Sequence, residues 1–191
     1  MFVNMLTPLV AKYTNTAGVE SYSQGMSAGK AMSGDVQLEY EDVPLFADGG
    51  RVDAGKEIIG GTIKIGVHRL TPQARALIGG HTYTAAVTGD TPSPAKVTVK
   101  RGDRPNEVGF GFVSVERDET KAEHIYANFY PRLMFSSPNA SYKTREKQTA
   151  YQTPVIEGDM MEPVDGTFED RTEHATEAAA LAYIKGKLSI T

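Results

Sequence analysis

Gly50 and Lys56, in GRVDAGK, stand at the spacing of a phosphate-cradling loop, where backbone N–H groups and a lysine hold the anion. The next position needs a Ser or Thr hydroxyl for magnesium. It is Glu57, whose carboxylate repels phosphate. The residues that follow, EIIGGTIKI, are rich in β-branched side chains, whereas the motif needs a helix whose N-terminus faces the anion. A loop feeding a strand is therefore expected here, without nucleotide. His68, His81, His124 and His174 are not spaced as metal pairs on a helix or strand. Glu39 and Glu41 share a strand face and stand beside Asp42, so an acid/base pair is conceivable there. A solvated acidic strip is the commoner use of such residues. Arg101-Gly102-Asp103 spells an adhesion tripeptide inside a turn-rich stretch and reads as a turn. Asn139-Ala140-Ser141 matches a glycosylation sequon by pattern alone. No nucleophile elbow anchors a Ser, His and Asp set. The expectation is a chain with no catalytic residues, no cofactor and no metal.

Composition narrows the class. The chain has 191 residues, 40% hydrophobic and 23% charged, enough for one domain with a core. It has no cysteine, which excludes disulfides and thiolate metal sites and leaves the redox compartment open. The opening MFVNMLTPLVAKY lacks the basic start and apolar run of a signal peptide. No apolar stretch approaches the roughly 18 residues that span a bilayer. A net charge of −4 argues against a general nucleic-acid binder. The charge is uneven: Lys96, Lys100, Arg101 and Arg104 cluster mid-chain, and acids accumulate from Glu157 to Glu177.

The elements that must position these residues are mostly strands. Val36, Leu38 and Tyr40 alternate with Gln37, Glu39 and Glu41, and Ile63, Ile65 and Val67 with Thr62, Lys64 and Gly66. Val108, Phe110 and Phe112 alternate with Gly109 and Gly111. Ile125, Ala127, Phe129, Leu133 and Phe135 share one parity, and Tyr126, Asn128, Tyr130 and Arg132 the other. Thr149, Tyr151, Thr153 and Val155 continue the pattern in a long polar strand over 147–158 that lacks a full core face. Pro131 and Pro154 mark edges or bulges. Thr71 as N-cap, Pro72 at the first position and Gly79 or Gly80 as stop predict a short helix, with Ala74, Leu77 and Ile78 facing a sheet. A second helix is expected over 173–185, stopped by Gly186. Residues 15–33, 41–57 and 89–104 read as loops, the second because of Asp48-Gly49-Gly50.

Taken in order, these segments resemble the phage major tail proteins of siphovirus-type tails. The resemblance rests on the turn Phe46-Ala47-Asp48, an acidic start to a strand, an alternating strand and a proline-started helix. It is completed late by Tyr142-Lys143-Thr144 and Tyr151-Gln152-Thr153-Pro154. It covers residues 33–158. It implies a mainly β (α+β) tail-tube fold: two packed antiparallel sheets, sandwich- or barrel-like, flanked by one helix, with a short C-terminal helix. The chain would be a single domain, 1–191, with a variable extension at about 160–191. The resemblance further implies a non-enzymatic virion subunit, assembled in the bacterial host cytoplasm. Six copies would close into rings that stack around a lumen. Its partners would be further copies of itself, a tape measure protein, and tail-terminator or baseplate proteins. DNA would pass through without specific binding, and no membrane is involved. Leu45, Phe46, Asp48 and Val52 would then form an inter-subunit contact loop, and Glu39 and Glu41 an acidic lumen wall. A β-sandwich binding or decoration module is the second reading, and an enzyme on a β-sandwich the third.

Overall fold

The period-two segments become strands wherever they are described. The computed structural model describes residues 2–47, 50–88, 92–136 and 154–190. In chain order the elements are β1 (Phe2–Thr16), β2 (Val19–Ser27), β3 (Ala31–Ala47), β4 (Gly50–Val67), α1 (Pro72–Gly79), β5 (Thr82–Thr84), β6 (Lys96–Thr98), β7 (Glu107–Arg117), β8 (Glu123–Phe135), β9 (Val155–Met160), β10 (Asp170–His174) and α2 (Glu177–Lys187). The fold is mainly β. Eight strands form one antiparallel sheet in the order β2-β1-β7-β8-β9-β4-β3, with β10 also paired to β8; β5 and β6 form a small second sheet. The two layers expected from the sequence are thus halves of one hydrogen-bonded sheet that curls over. Its distant strands β1 and β3 touch, and a Cβ on Gly34 of β3 would lie 2.7 Å from the Met5 sulfur of β1.

The core fills the inside of the curl. Val10, Phe110, Tyr130, Leu133 and Phe135 from one half meet Ile63, Ile65 and Ile156 from the other, and Ala74, Leu77 and Ile78 of α1 close the end. α1 is as the sequence predicts. The Thr71 hydroxyl accepts from the Ala74 N–H at 3.2 Å, Pro72 stands in the first turn, and Gly80 ends the helix in the left-handed region at φ 67°.

Pro131 does more than mark a bulge. Between the pairs Phe110↔Tyr130 and Val108↔Leu133, β8 carries one extra residue. The extra residue flips the side-chain parity. The expected single apolar face is therefore split. Leu133 and Phe135 join Tyr130 in the inner core, while Ala127 and Phe129 face outward into a second cluster. α2 covers that outer face with Ala180 and Ile184, and Leu188 follows just after the helix. Burying an Ile or Leu in this way contributes about 1.5–3 kcal/mol each.

Gly111 and Gly109 of β7 make room for that helix. A Cβ on Gly111 would stand 2.5 Å from the Ile184 side chain, and one on Gly109 2.8 Å from Leu188. Gly111→Val is expected to lift α2 off the sheet and cost about 1–3 kcal/mol by overpacking. The check is a lowered thermal midpoint by calorimetry, with far-ultraviolet strand signal retained.

Several expectations are corrected. Among the described residues, 41–47 and 50–57 are strand rather than loop: Leu45, Phe46 and Val52 lie within β3 and β4, which pair from Ala31↔Val67 out to Ala47↔Gly50 with three register shifts. Asp48 lies outside the described residues. The stretch 15–33 contains β2, and 89–104 contains β6. The second helix starts later than expected because Thr176 caps it. Glu173 pairs with Tyr126 in the β10–β8 ladder, and Gly186 lies inside the helix. The region after residue 160 is therefore part of the core rather than an appendage. The late strand has a complete core face where it is described, with Ile156, Gly158 and Met160 buried. The sequon, Tyr142-Lys143-Thr144 and residues 147–153 lie outside the described residues.

Candidate interaction site

The β3–β4 ladder is longer than the body that it belongs to. β9 pairs with β4 only from Gly61 to Gly66. Beyond Gly61, among the described residues, β3 and β4 pair only with each other, so they form a two-stranded arm. Strand geometry gives the arm two faces. One carries Leu38, Tyr40 and Asp42, opposite Gly61, Ile58 and Lys56. Leu38 is half-buried against the core, whereas Tyr40 is 55% and Ile58 42% exposed. A groove of about 700 Å³ runs between this face and the segment 166–169, lined by Leu38, Lys56, Ile58 and Phe168. Lys56 reaches Asp42 at 3.9 Å, both largely exposed, a pair of small energetic weight.

The other face carries Glu39 and Glu41, opposite Gly60 and Glu57. All three glutamates are exposed. Glu41 and Glu57 are directly opposed, and like charges at that position destabilise a strand pair. Between the pairs Glu39↔Gly60 and Tyr40↔Ile58 the register slips by one, leaving Ile59 as a bulged residue 55% exposed. The bulge brings Tyr40 and Ile58 onto one face and the glutamates onto the other. The two candidate lumen residues, Glu39 and Glu41, are thus brought together. Of the candidate contact residues, Leu45, Phe46 and Val52 fall farther out on the same arm. Glu57, Tyr40 and Ile58 were missed as site residues. Alternation on β3 was a signal for Tyr40; Glu57 and Ile58 had none, because the bulge at Ile59 sets their register.

The residues with catalytic spellings are placed elsewhere. Gly50 to Lys56 forms strand rather than a phosphate cradle. The Asp103 carboxylate accepts from the Lys100 N–H and meets His81 Nδ1, each at 2.9 Å, so the adhesion-like triplet is a bonded turn. The Lys100 N–H, and after it His81, holds the Asp103 carboxyl below its ordinary value. A cleft of about 580 Å³ opens between β1, β3 and β8, lined by Met5, Met32, Asp35, Phe112 and Tyr130. Two of its polar side chains are engaged: Asn128 donates to Ser114 Oγ at 2.8 Å, and the Tyr130 hydroxyl to Glu169 at 2.9 Å. Burial raises the Tyr130 hydroxyl above its ordinary value, with Glu169 adding to the shift. Among the described residues, no histidine bonds a hydroxyl and no group of three or more His, Asp or Glu could hold a metal. No helix among them is long and apolar enough to cross a membrane.

One cluster responds to pH. His124 on β8 meets Glu173 of β10 through Nδ1 at 2.7 Å and Asp118 through Nε2 at 3.4 Å. With carboxylates at both nitrogens, Glu173 first, the ring's pKa is raised. The Thr120 hydroxyl, then the Ala122 N–H and His124, hold Asp118 down to about 2. The histidine's contribution is complete below the unfolded value of about 6.5 and is lost as pH rises through the higher folded value. The thermal midpoint is expected to fall over that window, and His124→Gln to flatten the slope, both read by melting at a series of pH values.

No protein-family model matches the chain, and no curated protein matches it.

Proposed function

We propose that this chain is a structural subunit of a bacteriophage tail tube, of the siphovirus major tail protein kind, and that it is not an enzyme. Copies close into six-fold rings, the rings stack, and DNA passes through the lumen. The observation that carries this reading is the β3–β4 arm. Tyr40, Ile58 and Ile59 are exposed on a strand pair that leaves its own core, and Glu39, Glu41 and Glu57 line one face. A monomer gains nothing from displaying that apolar row, and an unpaired strand edge invites pairing with another chain. A neighbouring copy that covers the row and the free edge of β3 removes both liabilities. The acidic face is then left toward the lumen, where carboxylates repel phosphate and keep DNA from adhering. The bonded polar groups of the cleft and the strand at Gly50 to Lys56 support a role without chemistry. By the same reading the subunit belongs to the virion, meets a tape measure protein inside the tube, and meets terminator or baseplate proteins at its ends.

Negative-stain microscopy of the purified protein tests the proposal. Rings or tubes with six-fold views are expected. A strictly monomeric particle at high concentration overturns it and favours the decoration-module reading.

A further inference from the structure

The arm leaves unused the mid-chain basic cluster and the cavity beside it. About 680 Å³ lies between β1, the edge strand β2, the end of α1 and the segment 104–106. Lys12, Gln24, Gln73, His81, Arg104 and Asn106 line it, with no carboxylate among the lining residues. Lys12 is half-buried and Arg104 exposed, and neither is bonded to an acid among the described residues. Asp103, the nearest acid in sequence, is already engaged by His81 and the Lys100 N–H. The wall is stiff. Asn106 donates to the Leu77 carbonyl at 2.6 Å, and a Cβ on Gly80 would meet the Arg104 carbonyl. Gln24 sits at a bulge in the β1–β2 ladder with φ 55°, a left-handed conformation unusual for glutamine. The result is a preformed polar cavity with two cations that no acid among the described residues compensates, suited to an anionic group carried on a turn.

The same strand that begins at this cavity ends at an acidic turn. β7 leaves the cavity at Glu107, where Lys12 pairs with Val108, and runs to Arg117, roughly 33 Å at the usual rise per residue. There the β7–β8 turn is locked. Asp118 accepts from the Thr120 hydroxyl at 2.7 Å and the Ala122 N–H at 2.9 Å, and Lys121 takes φ 68°. Around it, Arg117 is paired with Glu123, and Arg171 with Glu116. Glu119 projects from the tip, exposed and without an ion pair among the described residues. Glu39, Glu41 and Glu57 lie flat on a sheet face and cannot enter a concave site. A single carboxylate on a rigid turn can.

We infer that the cavity around Lys12 and Arg104 receives the β7–β8 turn of a second copy, with Glu119 between the two cations. Cavity and turn stand at opposite ends of one strand, so the contact is head-to-tail; placed along the tube axis, where no rotation returns it to the first copy, it propagates as a stack. The inference rests on the assembly proposed above and assigns the axial contact, separate from the arm.

Charge exchange tests it, with the critical concentration for stacking read by sedimentation. Lys12→Glu with Arg104→Glu is expected to raise that concentration by at least about tenfold, as is Glu119→Lys alone. All three changes together are expected to return it to within about threefold of the parent. Thermal midpoints should be unchanged, which separates lost docking from lost folding. Reversed variants that stack like the parent, or a combined variant no better than its parts, overturn the contact and leave the tube reading standing. A parent protein that closes into rings but never stacks also overturns this contact alone. A parent that stays monomeric overturns both.

Discussion

Joining Leu38 to Gly61 through a two-residue turn, which deletes the arm together with Tyr40, Ile58 and Ile59, leaves a folded protein that forms neither rings nor tubes. The fold survives because, among the described side chains, none on β3 beyond Leu38 or on β4 before Ile63 belongs to either core. The inner cluster draws on β3 only as far as Val36 and Leu38, and on β4 only from Ile63 inward. The deleted ladder also carries the opposed Glu41 and Glu57, so its removal relieves a repulsion. Assembly fails because the exposed row that a neighbour would cover and the free edge beyond it are gone. Each large apolar side chain covered there is worth about 1.5–3 kcal/mol, and the loss recurs at every subunit of a closed ring. Circular dichroism and calorimetry read the fold, and microscopy reads assembly. A shortened protein that still builds normal tubes removes the arm from the contact. One that unfolds shows that the arm belongs to the core.

The sequence read as a loop the outer part of the longest ladder among the described residues, and the reason is physical. The turn chemistry at Asp48-Gly49-Gly50 falls at the end of the paired ladder, where Ala47 faces Gly50, and Asp48 and Gly49 lie outside the described residues. The described side chains from Glu39 to Asp42 and from Gly55 to Ile59 are exposed, and the apolar alternation that betrays a strand fades beyond Tyr40. What holds the arm is backbone pairing from Glu41↔Glu57 to Ala47↔Gly50, which needs no particular side chains. α1 was legible for the opposite reason. Thr71, Pro72 and Gly80 each satisfy a local backbone requirement that no distant contact has to supply.

β8 shows an intermediate case. Pro131 announces a bulge, because it cannot donate to the ladder, but the consequence depends on what lies on each side. The parity flip is useful only because α2 arrives from the far end of the chain to cover Ala127 and Phe129. Gly109 and Gly111 gave the same hint from β7, since glycines alternating with phenylalanines are the space that Ile184 and Leu188 fill. The start of α2 was misplaced because residues 173–185 carry a helical composition from the first glutamate. β10 pairing with β8 takes Glu173 first, and Thr176 begins the helix. In the site, Glu39 and Glu41 were legible as a shared face. Their partner Glu57 was not, because strand register across a turn is fixed by the ladder and its bulge at Ile59 rather than by spacing.

Glu39→Lys with Glu41→Lys is expected to leave tubes intact and to make DNA cling inside them. The double change replaces two exposed carboxylates with two ammonium groups. At position 41 it also sets an ammonium opposite Glu57 in place of a repelling carboxylate, so the monomer should gain roughly 0.2–1 kcal/mol, seen as a slightly raised melting point. Around a ring the two cations recur at every subunit. Each phosphate contact made by a cation releases condensed counterions, so the affinity of the wall for DNA becomes steeply dependent on salt. Ejection from particles carrying the variant should slow at low ionic strength and recover as salt is raised. The isolated tubes should retain labelled duplex DNA over the same range, where the parent retains none. Particles that eject at the parental rate at every salt concentration, with tubes present, would place Glu39 and Glu41 outside the lumen. A loss of tubes with the fold intact would instead make the acidic face part of the contact between subunits.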